Sequence, residues 1–469
     1  MEVTISNKLL LQQVPDNLLD IILPELILPN PKFVEAAENG YSTYGIPEKI
    51  INYDIKPGGK IYVPRGYFSN IVSYSNALAI PINITDQRAD RHLDIEIDSS
   101  VIKLRPYQSK ALVDITSKSR EGILVSPAGS GKTVMGLSLL PMLEQKTLWL
   151  THTKPLAQQA LSRIEKFLPS LKEDDVGFIG TGKWNIGKVI TIGIVQTLVR
   201  NMDKIKELRD EWGLVILDEC HHAPATSFTN VIAELAPLFL YGLSATPIRR
   251  DGLHNVMFQV MGPILHTVSL KEVKQHGGII VPKIYCKRIL NNYLALADFQ
   301  SIINALVNDV QRTLTIVDDV VKEAKEGNIC VVLTDRKLHA ERIFELLKAR
   351  LGNTVGIATG SYSKKKIDAT VKQLEDEEIN VLVTTSALLG EGFDHAPINR
   401  GFLCLPFRNA TKTEQVIGRI QRTAEGKEDA IVYDYVDTHP LLEHQFYNRG
   451  MKGCRHNIYQ KLGCVVEKI

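Results

Sequence analysis

The sequence predicts an α/β protein: two parallel-sheet domains in tandem, preceded by a small α/β module. Three observations carry this. From about residue 101, short apolar runs alternate with helix-length segments. The alternation breaks near Pro263 and Gly277-Gly278, then resumes. Residues 1–100 instead follow a turn-rich pattern. Apolar strands alternating with helices indicate a parallel sheet covered on both faces. The length, 469 residues, suits about three domains at ~150 residues each. The expected boundaries are 1–100, 101–275 and 276–469, with the join somewhere in 265–310.

In the first segment, Ile50–Ile55 and Lys60–Pro64 read as strands around Pro57-Gly58-Gly59, a hairpin signal. Residues 76–84 and 93–97 are further strand candidates. The second segment begins with the strand Gly122–Ser126, a Gly-rich loop and a helix to about Leu143. Strands follow at Thr147–Leu150, Val189–Thr191, Gly213–Leu217 and Leu238–Leu243. The third segment repeats the scheme. Its strands are Ile329–Leu333, Thr354–Ile357, Val381–Thr384, Gly401–Leu405 and Ala430–Tyr435, and its helices Leu338–Ala349, Ile367–Leu374 and Thr413–Arg422.

Composition narrows the function. Hydrophobic residues are 44% and charged residues 23%, which excludes a largely disordered chain. The net charge is only +2, so any nucleic-acid grip must be local. Residues 1–100 carry 8 basic and 13 acidic side chains, a balance of −5, leaving +7 for the remainder. The stretch 444–469 is basic (Arg449, Lys452, Arg455, Lys461, Lys468, against Glu467) and suits either phosphate contact or a solvated face. The six cysteines show no C-x-x-C, and reduced thiols in a cytoplasmic protein are expected. Neither a signal peptide nor a membrane span is read from the sequence. A viral source would place the protein in the host cytoplasm.

Two motifs carry chemistry. Residues 126–133 (SPAGSGKT) lie between a strand and a helix and end in Gly131, Lys132 and Thr133. They match the phosphate loop G-x-x-x-x-G-K-S/T except that Ser126 holds the first position. Pro127, Ala128, Gly129 and Ser130 let backbone N–H groups close around ATP phosphates at a helix N-terminus. Lys132 can reach the β and γ phosphates, and the Thr133 hydroxyl can ligate Mg²⁺. The second motif is Asp218-Glu219-Cys220-His221, at the end of an apolar strand. Asp218 can hold Mg²⁺, Glu219 can deprotonate the attacking water, and His221 gains weight from lying beside the acids.

With these residues the chain resembles the superfamily 2 helicases of the D-E-x-H type. The further motifs appear in order from 105 to 422. Arg105-Pro106-Tyr107-Gln108 is similar to the motif whose Gln reads adenine. Thr151–Gln159 and Thr191–Leu198 resemble nucleic-acid-gripping motifs, which implies contacts from Thr153, Lys154, Gln196 and Thr197. Ser244-Ala245-Thr246 resembles the motif that couples hydrolysis to movement. Val381–Thr385 with Gly390–Asp394 resembles motif V, implying strand contacts from Thr384 and Thr385 and ATP contacts from Gly392 and Asp394. Gln415–Arg422 resembles motif VI, Q-x-x-G-R-x-x-R, implying catalytic roles for Gln415, Arg419 and Arg422. Read as a helix, it puts the two arginines three apart on one face. The resemblance implies RecA-like folds for both larger domains and ATP and Mg²⁺ as cofactors.

Arg105–Gln108, Asp218–His222 and Ser244–Gly252 look most like the XPB-like repair helicases and the UvsW-like phage recombination helicases. Asn30–Gly66 resembles the small N-terminal module of such proteins; the acidic balance of residues 1–100 argues against a simple phosphate clamp, so either Lys60 and Arg65 form a local patch or the module reads DNA shape or binds a protein. The expected function is an ATP-dependent DNA helicase or translocase, a monomer acting on single-stranded and branched duplex DNA beside recombination or replication proteins. The alternatives are a duplex translocase without strand separation, a D-E-x-H RNA helicase, and a nucleotide-gated binding module. Trp184 is read as a core or loop aromatic before a base-stacking one.

Overall fold

The computed structural model describes residues 1–220, 225–245, 252–290, 298–390, 397–407, 409–447 and 454–469. His221, Thr246, Gly392 and Asp394 lie outside these residues. One compact unit comprises residues 1–127 and 131–269; another comprises 270–469 with 128–130. No described helix is long and apolar enough to cross a membrane.

The first unit opens with a five-stranded sheet in the order Asp54–Lys56, Lys60–Pro64, Lys8–Gln12, Glu2–Ile5, Asn83–Asp86. Its last pair is parallel and the others antiparallel. Val3 and Ile5, Leu9 and Leu11, and Ile61 and Val63 are buried at every second position. One face of the sheet therefore meets the helices Asp16–Glu25 and Phe68–Ala77 through Leu18, Ile22 and Ile71. Gly58 and Gly59 turn the expected hairpin with φ of 82° and 69°.

The run Ile50–Ile55 is not one strand. Lys49–Ile51 pairs with Ile27–Pro29, and Asp54–Lys56 joins the main sheet. Asn52 divides them, because its N–H donates to Leu26 O and its side-chain amide to Gln259. The expected strand 76–84 is displaced: residues 76–77 end a helix, Ile80 N–H turns back to Ser75 O, and the strand is Asn83–Asp86. Residues 93–97 form no strand. Leu93 donates a single backbone bond to Glu144 O, with no partner ladder.

The module is docked onto the following domain through a buried corner. Arg65, in the short turn Arg65–Tyr67, is 1% exposed. Its Nε donates to Glu121 Oε2 at 2.5 Å and its Nη1 to Pro237 O at 2.8 Å. A Cβ at Gly66 would lie 2.1 Å from Gly262 N, so only glycine lets the two backbones meet. Arg65 is thus an internal ion-pair partner and not part of a phosphate-binding patch; Lys60 is exposed without it. Breaking a buried pair leaves a charge uncompensated. Arg65→Met should therefore cost ~3–5 kcal/mol of stability in urea unfolding, whereas R65M/E121L should restore most of it.

The second sheet of this unit has eight strands. The order is Lys183–Asn185, Val176–Gly180, Ile190–Ile194, Thr147–Thr151, Leu214–Asp218, Phe239–Ser244, Glu121–Val125, Ile264–Thr267. All pairs are parallel except the edge hairpin of the first two strands. Four strands, at 121, 147, 190 and 214, are buried at every position, as expected where both faces are covered.

The second unit holds a seven-stranded, wholly parallel sheet. Its order is Val355–Ala358, Val381–Thr384, Cys330–Leu333, Arg400–Leu403, Ile431–Asp437, Lys283–Ile289, Val465–Lys468. The helices Lys337–Leu351, Lys364–Glu375 and Ala410–Ile420 extend or shift the expected ones by a few residues.

Candidate active site

Strand order determines what meets at the C-terminal edge of the first unit's larger sheet. Phe239–Ser244 lies between the strand feeding the phosphate loop and the strand ending in acids, with Ser244 opposite Val125 and Leu243 opposite Asp218. The sequence-distant motifs at 126–133, 218–219 and 244–245 therefore share one rim, where such sheets bind ligands. Ser126 N–H donates to Ser244 O at 2.9 Å, tying the loop to the coupling motif through backbone.

The loop has the shape that phosphate binding needs. Gly129 and Gly131 adopt φ of 81° and 84°, in the left-handed region. Gly131 is the residue from which the helix Lys132–Leu143 starts, so its first free N–H groups face the loop. A Cβ on Gly131 would sit 2.5 Å from Gln108 Nε2. Gln108 is buried, and its Oε1 accepts from Arg105 N–H at 2.8 Å at the start of the helix Pro106–Lys118. Arg105, Gln108 and the loop are therefore brought together. Pro127, Ala128 and Thr133 are half-buried, and Ser130 is buried.

Lys132 lies in the mouth of the loop, its Nζ 3.3 Å from Glu219 Oε1 and 3.4 Å from Ser126 O. Burial and the like charge of Glu219 push the Asp218 carboxyl up to about 7, with Lys132 opposing. A divalent cation on that carboxylate would reverse the shift, so the donor set fits Mg²⁺ held by Asp218 and Thr133. Glu219 has φ of 48°, a left-handed conformation uncommon outside glycine and recurrent at functional sites. Cys220 is buried; burial and the adjacent carboxylates raise its thiol far above the ordinary range, so it is no nucleophile.

The gripping motifs follow the neighbouring strands Thr147–Thr151 and Ile190–Ile194, along the same edge. Thr153 precedes the helix Lys154–Phe167, Lys154 is exposed, and Gln196 and Thr197 lie on the short helix Val195–Val199. Thr153 Oγ1 and Gln196 Oε1 are buried without a hydrogen-bond partner. Such orphaned polar atoms are uncommon and suit a ligand site. Trp184 packs half-buried against the core with Lys204 Nζ 4.8 Å from its ring centre, the structural role expected first.

In the second unit, Thr384 ends its strand and Thr385 follows it. Gln415 and Arg419 lie on the helix Ala410–Ile420. Arg422 does not. The helix ends at Ile420, and Arg422 forms an extended bridge with Ile279, while Ile280 N–H donates to Gln421 O at 2.8 Å. The expected common helix face for the two arginines is thus corrected: strand-like pairing captures the chain before the helix reaches Arg422. Of the basic C-terminal stretch, Arg449 and Lys452 lie outside the described residues. Arg455 is buried against Asp434 at 2.8 Å, and Lys461 pairs with Glu414 at 2.8 Å.

Sequence reasoning missed Asp335. Its carboxylate accepts from Ser386 Oγ at 2.5 Å and pairs with Lys412, joining the segment after Thr385 to the arginine helix. These contacts hold its carboxyl below the usual range despite burial. Its place just after the strand Cys330–Leu333 was the available signal.

Residues 101–249 match the family described as Type III restriction enzyme, res subunit, and residues 312–424 match the Helicase conserved C-terminal domain. The chain belongs to the superfamily 2 helicases. As such it is an ATP-hydrolysing enzyme. The helicase is 25% identical over 445 residues to a putative ATP-dependent RNA helicase of Acanthamoeba polyphaga mimivirus, covering 90% of this chain and 81% of the relative. It is 32% identical over 188 residues to the DNA 3'-5' translocase XPB2 of Sulfurisphaera tokodaii, 40% of each chain. A fragment of a putative HsdR subunit of a type I restriction enzyme from Vibrio vulnificus shares the fold at a TM-score of 0.54 and 17% identity, over 80% of this chain and 71% of that one. The parallel-sheet domains of the helicase are RecA-like.

Proposed function

We propose that this helicase is a DNA motor that remodels branched substrates, by branch migration or by fork and junction unwinding, in recombination, replication or repair. The observation that carries the choice of DNA is the 32% identity to an XPB-type DNA translocase, the highest among the relatives described above. In this reading Lys132 binds the β and γ phosphates, Asp218 and Thr133 hold Mg²⁺, and Glu219 takes a proton from the attacking water. Arg419 and Arg422 neutralise charge developing on the γ-phosphate, and Thr153, Lys154, Gln196, Thr197, Thr384 and Thr385 hold the strand by its backbone. Arg419→Lys keeps the charge but loses the planar fork, so ATP turnover should fall ~10-fold or more with little change in nucleic-acid affinity. An unchanged rate would remove Arg419 from the site.

The N-terminal module supplies junction preference in this reading. Its removal is a poor test, because truncation near Ile97 would strip Glu121 of its partner Arg65 and uncover the surface on which the module packs. A surface change is cleaner. Tyr41 and Tyr44 are 71% and 97% exposed on the loop after the helix Pro31–Glu38, with their rings available for stacking on unpaired bases. Y41A/Y44A should keep ATPase stimulated by single-stranded DNA and lose several-fold in rate on forks and four-way junctions. The decisive panel compares fork, three-strand and four-way junctions, D-loop and tailed duplex, in DNA and in RNA. Equal rates on junction and tailed duplex in the unaltered protein contradict the branched-substrate reading. A second reading, an RNA helicase, is favoured by the similarity spanning 90% of the chain; RNA stimulation equal to DNA stimulation would establish it.

A further inference from the structure

The helix Ala410–Ile420 stops short of Arg422, so helical geometry does not fix where that arginine points. A helix end leaves its last carbonyls without intrahelical donors. Here a side chain further along the chain supplies donors. The Lys427 ammonium donates to Ile420 O at 2.6 Å, Arg422 O at 2.8 Å and Ile398 O at 2.5 Å. An ammonium has three donors and can serve all three carbonyls. Two of the carbonyls belong to the turn that bears Arg422. The third lies just ahead of the strand Arg400–Leu403, so the turn is anchored to the sheet. Ile279 and Ile280 hold the same turn by backbone pairing.

Lysine is a costly choice for this place. Burial and the neighbouring Arg422 charge lower its pKa to about 7, with Asp429 opposing. A glycine or asparagine cap would close a helix without setting a second cation beside an arginine. What the ammonium adds is a three-point hold on the backbone of that arginine.

We propose that Lys427 is a positioning residue for ATP hydrolysis, fixing through three carbonyls the turn from which Arg422 reaches the γ-phosphate. This rests on the reading of Arg422 as a phosphate arginine. Charge stabilisation in a transition state depends on groups held in place beforehand, and misplacement by about 1 Å can cost ~10²-fold.

The test is steady-state, nucleic-acid-stimulated ATPase of the full chain for K427M, K427Q, K427R, R422A and R422A/K427M, with thermal unfolding of each. K427M and K427Q should lower kcat ~10- to 100-fold while KM for ATP stays within about twofold. K427R, which still donates, should recover part of the loss. The double variant should be no slower than R422A alone, because both act through one guanidinium. The proposal is overturned if R422A is crippled while K427M and K427Q turn over normally. It is overturned equally if the two losses multiply, or if K427Q loses kcat only in step with its folded fraction. A normal rate for R422A would instead remove the arginine assignment itself, and this proposal with it.

Discussion

Lys132→Ala should lower ATP turnover at least ~10³-fold, to the buffer background, while leaving nucleotide-free nucleic-acid binding intact. The ammonium sits in the mouth of a loop whose left-handed glycines and free helix N–H groups form an anion site. Among the described residues the carboxylate within ion-pair distance is Glu219, at 3.3 Å. Bound triphosphate would take that contact over. With alanine there, Asp218 also loses the charge opposing its raised pKa, so less of it is ionised at neutral pH and Mg²⁺ binding weakens too. Phosphate release and fluorescence anisotropy of labelled DNA separate the two activities. Near-normal turnover would mean that the phosphates bind elsewhere.

Glu219→Gln should have the next largest effect, a loss of at least ~10²-fold in turnover with ATP binding retained. The amide keeps the shape but cannot take the proton from water. The sign at its neighbour is also fixed. The Glu219 charge raises the Asp218 carboxyl, so neutralising it moves that pKa down. Asp218 is then more fully ionised at pH 7, and Mg²⁺-dependent binding of a fluorescent ATP analogue should hold or tighten. Weaker nucleotide binding, in parallel with lost turnover, would make Glu219 structural instead.

The buried strands were legible because each is a short apolar run ending where a functional residue begins: Leu214–Asp218 before Glu219, and Phe239–Ser244 before Ala245. Two strands at or next to a sheet margin were not: Val176–Gly180, one in from the edge, contains two glycines, and the edge strand Val465–Lys468 is largely exposed, so neither carries the apolar signature of a central strand. Lys283–Ile289 was missed for another reason: it carries three charged residues, Lys283, Lys287 and Arg288, inside a stretch that looked like a linker. At the candidate site, spacing pointed to the loop and the acids. It could not reveal that Gln108 closes on Gly131, that Arg422 leaves its helix, or that Asp335 joins two motifs, since each depends on chain brought from far away. Nothing in the local sequence sets the corner at Arg65 apart as buried; only the distant Glu121 makes it internal.

That corner also has a consequence for synthesis on the ribosome. Arg65 accepts its fate late: Glu121 lies 56 residues further along and the Pro237 carbonyl 172. At about 5–20 residues per second, roughly 10–30 s pass before the last of these partners exists. Through that interval the guanidinium is held by water and the backbone at Gly66 is uncovered, so the corner cannot yet close. Its docking, through Arg65 on Glu121, is therefore a late step that ties the module to the strand leading into the phosphate loop.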